Sequence, residues 1–244
     1  EFSGLDRFLR DSFEEMDRRK TEALILDVRN NGGGDDDQGK LLFSYLIDKP
    51  FQYYSDLVVN SLSLDFAKYA TGASQLPAEN FQQGADGRYH LVGHPNWGLQ
   101  QPTSPTFRGD VLVLMNGGSF STTAEFLSQA HYHHRATFIG EESGGGYYGN
   151  TSGFMPILTL PHSKLRVVIP LVRYRVAVSG CKEPSHGVIP DREVRYTIED
   201  VLAGRDKEME LALYLLSSRH NEIPPPSSMT QQEGIPRATP GPAF

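Results

Sequence analysis

Apolar residues recur along this chain with two periods, one suited to helices and one to strands, and the two alternate. Over residues 3–20, Leu5, Phe8, Leu9, Phe13 and Met16 fall at helical spacing, with Ser3 placed to cap the first turn. The continuous apolar run from Ala23 to Val28 has strand length and the composition of a strand covered on both faces. Gly32, Gly33 and Gly34 interrupt the pattern. Asp35 to Asp37 can then open a second helix, because negative charge suits the positive end of a helix dipole. That helix shows Leu41, Leu42, Tyr45 and Leu46 on one face and stops at Pro50. Residues 51–59 read as a strand.

The alternation resumes with a buried strand at 110–115, a helix at 121–134 and a strand at 136–140. Residues 154–160 and 164–170 read as a hairpin across Pro161 to Ser163, with a further strand at 171–178. Thr197 and Asp200 match a capping box, and residues 206–216 form a closing helix. Strands alternating with helices predict an α/β domain with a mainly parallel sheet. Sites in such sheets form beyond the carboxyl ends of the strands.

Two segments depart from the alternation. Residues 61–108 are polar and rich in Gly, Pro, Gln and Asn around Trp97, the single tryptophan, which predicts an insertion or a cap over substrate. From Ile223 onward six prolines accompany little that could pack, so residues 221–244 are expected to be a disordered tail and 1–220 the core. The chain opens without an initiator methionine and reads as a piece of a longer precursor whose N-terminal part is missing.

Composition narrows the function classes. A net charge of −7 disfavours nucleic acid and anionic membrane as partners. No run approaches the roughly 18 apolar residues of a bilayer span. Cys181 is the single cysteine, which excludes an internal disulfide. The eight histidines lack metal-ligand spacing, so neither a metal nor a cofactor is expected.

Candidate chemistry gathers at two strand ends. The glycines after the first strand offer backbone N–H groups that could hold an oxyanion, although a flexible turn would look the same. Ser121 follows a strand and the turn Asn116, Gly117, Gly118, and precedes a helix, where the dipole and unpaired N–H groups favour a nucleophile; an N-cap has the same signature. Asp27 and Arg29 can form an ion pair, and Asn30 and Asn31 can pin the turn. The pair of half-sites suggests acyl transfer. His131, His133 and His134 lie at the far end of the helix, about 15 Å from Ser121 at about 1.5 Å per residue, so they do not serve as its base. Lys164 reads as solvated charge, and His186 is held in reserve.

Several blocks carry a resemblance. LILDVRNNGGG (Leu24 to Gly34) resembles the LxLDLRxNxGG signature of the tail-specific, or C-terminal processing, serine peptidase family. NGGSFSTTAEF with RATFIGEESGGG resembles that family's nucleophile strand–helix and the strand after it, and the hairpin and HGVIPDREV resemble its downstream segments. The similarity covers roughly residues 1–218. It implies a crotonase/ClpP-like core of superposed ββα units, with Ser121 as nucleophile and the N–H groups of Gly32 or Gly33 with Thr122 as oxyanion hole. Many members place the nucleophile three residues before the helix glutamate, here Glu125, which would select Thr122. Ser121 lies four before it and is preferred as a primary hydroxyl, with Thr122 next and Ser119 last.

The stretch matching the family's lysine-bearing loop, GEESGGGYYG, has no lysine. The tricorn-like branch instead uses an upstream histidine and a glutamate before the G-x-x-PD segment, which points to Glu183 and to a histidine preceding Glu1. The resemblance further implies a peptide or protein substrate and a periplasmic or extracellular setting, and an oligomer is compatible with it. Two alternatives stay open: a catalytically silent peptide-binding module with the same fold, and an acyl-thioester enzyme of the crotonase type.

Overall fold

A computed structural model describes residues 4–72, 76–181 and 183–218. Ser3 and the tail beyond 218 lie outside the described residues. The chain divides into two compact units, residues 1–195 and 196–244.

In the first unit, helix α1 (Leu5–Arg19) precedes strand β1 (Ala23–Asp27), and α2 (Asp36–Ser44) follows the glycine turn. Gly4 occupies the cap position of α1 and supplies no side-chain bond, whereas the Asp35 carboxylate caps α2 by accepting from Asp37 N. The second helix ends at Ser44, well before Pro50, and residues 45–47 continue as buried non-helical chain. Next come β2 (Phe51–Gln52) and β3 (Tyr54–Val59). Within residues 61–108 lie β4 (Ala70–Thr71), β5 (Phe81–Gln83), β6 (Tyr89–Leu91) and β7 (Leu99–Gln100). Strand β8 (Asp110–Met115), helix α3 (Thr122–Tyr132) and β9 (Thr137–Gly140) follow. After them run β10 (Gly149–Ser152), β11 (Ile157–Thr159), β12 (Arg166–Val168), β13 (Val172–Val176) and β14 (Arg192–Glu193).

The expected parallel sheet has the order β1-β8-β9-β14, with every pair parallel. Its inner strand β8 is buried from Val111 to Met115, as a strand covered on both faces should be. Strand β1, read from sequence in the same way, is an edge strand and only half-buried, because it pairs on one side alone. A second sheet, β10-β13-β3-β6-β5, is antiparallel. Residues 61–108 therefore contribute β5 and β6 to this sheet. Trp97 bridges to Tyr54, and β7 pairs with β2. Strands β11 and β12 form the expected hairpin.

Helix α3 lies between these layers with every residue from Thr122 to Ala130 buried. Phe126 and Leu127 bury apolar side chains at about 1.5–3 kcal/mol each. Two of its polar side chains are tied to backbone carbonyls: Ser128 Oγ donates to Ala124 O, and Gln129 Nε2 donates to Gln52 O and Tyr53 O, while Gln129 Oε1 is buried without a partner.

The second unit, as far as it is described, contains α4 (Ile198–Leu202) and α5 (Lys207–Ser218). Thr197 and Asp200 form the capping box read from the sequence. Asp200 also takes ion pairs from Arg205 and Lys207.

Candidate active site

The turns that leave β1 and β8 are sewn together by asparagines. Asn116 Oδ1 accepts from Asn30 N at 2.9 Å and from Gly118 N at 3.0 Å, and Asn116 Nδ2 donates to Asn30 Oδ1. Phe120 N donates to Asn31 O at 3.0 Å. Asn31 Oδ1 accepts both Gly33 N, at 3.0 Å, and Thr123 Oγ1, at 2.9 Å. The two half-sites read from the sequence are thus one structure at the carboxyl ends of adjacent parallel strands.

Three hydroxyls stand at this junction, and their surroundings differ. Ser119 is fully buried; its Oγ donates to Val28 O at 2.8 Å and accepts from Asn116 N at 3.2 Å. Thr122 Oγ1 donates to Gly34 O at 2.9 Å. Both are structural fasteners. Ser121 holds the N-cap position of α3 but makes no side-chain cap bond, so its hydroxyl is not spent as a cap. Its backbone sits at φ 54°, ψ −129°, the mirror image of extended chain and a region that glycine favours. Such strain costs about 1–3 kcal/mol and persists where the surroundings over-determine it, as in the strand-to-helix turns that present nucleophiles.

Those surroundings are glycines. A Cβ on Gly33, itself at φ 91°, would lie 2.7 Å from Ser121 Cβ and 2.7 Å from Phe120 O. A Cβ on Gly145 would meet Ser121 N at 3.2 Å and Ala124 Cβ at 2.4 Å. Gly32, in contrast, is exposed with open space around it. The Gly33 N–H is engaged by Asn31 Oδ1, while Thr122 stands at the helix start, where N–H groups have no intrahelical acceptor.

Glu183 pairs with His186, Oε2 to Nε2 at 2.9 Å, and Glu142 faces the other ring nitrogen at 3.0 Å. Glu142 Oε1 also accepts from Gly187 N at 2.8 Å. This cluster reaches the serine turn through the 143–147 loop, since Ser143 Oγ accepts from Val188 N and Gly144 N donates to Ser119 O. Sequence reasoning missed Glu142, whose only signal was its place after β9. Asp27 and Arg29 form the ion pair expected of them, Oδ2 to Nη2 at 2.7 Å. His131 meets Tyr147 at the far end of α3, and burial lowers its pKa.

Glu125, one turn along α3, was read only as a register mark. It is buried, its N–H donates to Ser121 O at 3.1 Å, and its carboxylate accepts from Tyr54 Oη and Asn150 Nδ2, each at 2.6 Å. Burial raises its pKa to about 7; the two hydrogen bonds oppose the rise and Asp36 adds to it. Among the described residues no cluster of three or more His, Cys, Asp or Glu could hold a metal.

The sequence profile of peptidase family S41 matches residues 1–194, and the chain belongs to that family. Among solved structures, a candidate peptidase from Parabacteroides merdae is similar over 85% of this chain and 56% of its own, at 22% identity and a TM-score of 0.52. Mature CPAF complexed with lactacystin is similar over 91% and 48%, at 16% identity and a TM-score of 0.52. A candidate S41 protease from Bacteroides fragilis is similar over 87% and 49%, at 17% identity and a TM-score of 0.50. At these identities the likeness shows the fold, and the chain spans about half the length of those proteins. No match is found among curated proteins. No helix among the described residues is long and apolar enough to cross a membrane.

Proposed function

We propose that this chain is the catalytic core of a serine endopeptidase in which Ser121 attacks the scissile carbonyl. The observation that carries the reading is the strained backbone of Ser121, held against Gly33 with its hydroxyl free of capping duty. The N–H groups of Thr122 and of Gly32 or Gly33 take the developing oxyanion. Gly32 is the readier glycine donor, since Gly33 would first have to give up Asn31. A histidine contributed from outside these residues takes the Ser121 proton, and Glu183 orients it after exchanging its present partner, His186. The substrate is a peptide or protein.

Fluorophosphonate labelling of the full-length protein tests the assignment. Ser121→Ala abolishes labelling, while Ser119→Ala and Thr122→Ala retain it. Undiminished labelling of Ser121→Ala would sink it. A catalytically silent peptide-binding module is the second reading, favoured by the occupied ring nitrogens of His186; peptide binding with no labelling of any form selects it.

A further inference from the structure

A cavity of about 270 Å³ opens beside the glycine turn, and neither the nucleophile nor the oxyanion donors account for it. Its walls are Leu5, Phe8 and Leu9 from α1, Leu26 from β1, Leu42 from α2 and Phe126 from α3. Gly33 and Thr122 also line it. Gly33 lies against Ser121, where a Cβ on the glycine would meet Ser121 Cβ at 2.7 Å, so the cavity adjoins the turn that bears this serine.

Several of the lining polar atoms already have partners. Asn31 Oδ1 accepts two donors, Thr122 Oγ1 is bonded to Gly34 O, Asp27 is paired with Arg29, and Asp35 caps α2. Gln38 Oε1 is a lining acceptor that is buried without a partner. Phe8, one of the lining residues, is 63% exposed. An apolar space with engaged polar walls gains nothing from a charged occupant and stabilises an apolar one by the area it removes from water. At about 30 Å³ per water the volume equals roughly nine waters, ample for one branched aliphatic or aromatic side chain.

We propose that this cavity receives the side chain on the acyl side of the cut, the residue whose carbonyl Ser121 attacks. The substrates are then peptides with a large apolar residue at that position: leucine, phenylalanine or a tyrosine whose hydroxyl could donate to Gln38. This rests on the peptidase reading, because it needs the carbonyl placed at the glycine turn.

Binding of cleavage products tests the proposal without requiring the general base. A product ends in a carboxylate that occupies the oxyanion donors, and its last side chain enters the cavity. Affinities of the 244-residue chain are measured by calorimetry for otherwise identical peptides ending in Ala, Leu, Phe, Tyr, Asp or Lys. Leu, Phe and Tyr are expected to bind at least about 10-fold more tightly than Ala, the scale of a filled hydrophobic pocket. Leu42→Trp, which fills the cavity from a half-buried position, collapses that ratio to within about 2-fold; Leu5→Trp does the same from α1 should the first variant fail to fold. A flat ranking, or Lys binding tightest, overturns the cavity assignment and leaves the peptidase reading standing. Failure of every peptide to bind, or equal binding of C-terminal amides, overturns both.

Discussion

Glu125 offers a test of the energetics beside Ser121. Its carboxyl, carried on α3, is buried, and its pKa rises from the ordinary 4.5 to about 7. The folded state therefore holds a proton that the unfolded chain has already released between these two values. Stability falls as pH rises through this window, because the native state binds more protons than the unfolded one. The contribution is complete below about 4.5 and lost above about 7. At about 1.4 kcal/mol per pH unit the loss comes to about 3 kcal/mol. Urea unfolding of wild type and Glu125→Gln at pH 5 and pH 8 measures it. Taking the difference between the two proteins cancels the histidines, which titrate in both. The substitution has its own cost, since Tyr54 Oη and Asn150 Nδ2 both donate to the carboxylate and one would face an amide NH2, but this cost does not vary with pH. The wild-type midpoint, relative to the variant, should drop by about 1–3 M urea between pH 5 and pH 8 at slopes of about 1–3 kcal/mol/M. An equal offset at the two pH values would refute the buried-proton argument.

The hydroxyls at the turn should separate in stability as they do in geometry. Ser121→Gly relieves the strained φ and is expected to raise stability by up to about 1–3 kcal/mol, whereas Ser119→Ala takes the side-chain acceptor from Asn116 N, leaves Val28 O with Asn31 N alone and lowers stability by about 1–3 kcal/mol, both read by thermal or urea unfolding. Gly33→Ala combines a positive φ with a Cβ 2.7 Å from Phe120 O, so it should lose more than about 2 kcal/mol and fluorophosphonate labelling with it; wild-type melting would contradict the close packing. Thr197→Ala removes half of the capping box and should cost about 0.5–2 kcal/mol in the second unit, measured as faster amide exchange across α4.

Much of this was legible in local pattern. The strand at 110–115, the helix after Ser121, the 157–168 hairpin and the Thr197 capping box all follow from periodicity and end signals that act over a few residues. Edge or inner position was not legible. The apolar runs of β1 and β8 look alike, and only strand order leaves β1 half-exposed. The 61–108 segment shows weak periodicity because its strands are two or three residues long and are held mostly by ladders to distant strands, β7 to β2, β6 to β3 and β4 to β11.

At the site, the sequence by itself determined that a glycine turn and a serine-bearing turn stand at strand ends. Strand, turn and cap preferences are short-range, so the residues carry them without help. Which hydroxyl is free was decided by tertiary structure alone. Ser119 finds Val28 O across 91 residues, Glu125 finds Tyr54 across 71, and Gly33 meets Ser121 only because parallel pairing sets β1 beside β8. Partners so distant leave no mark on local spacing. Their energies depend on desolvation and close approach, which exist only once the layers have packed.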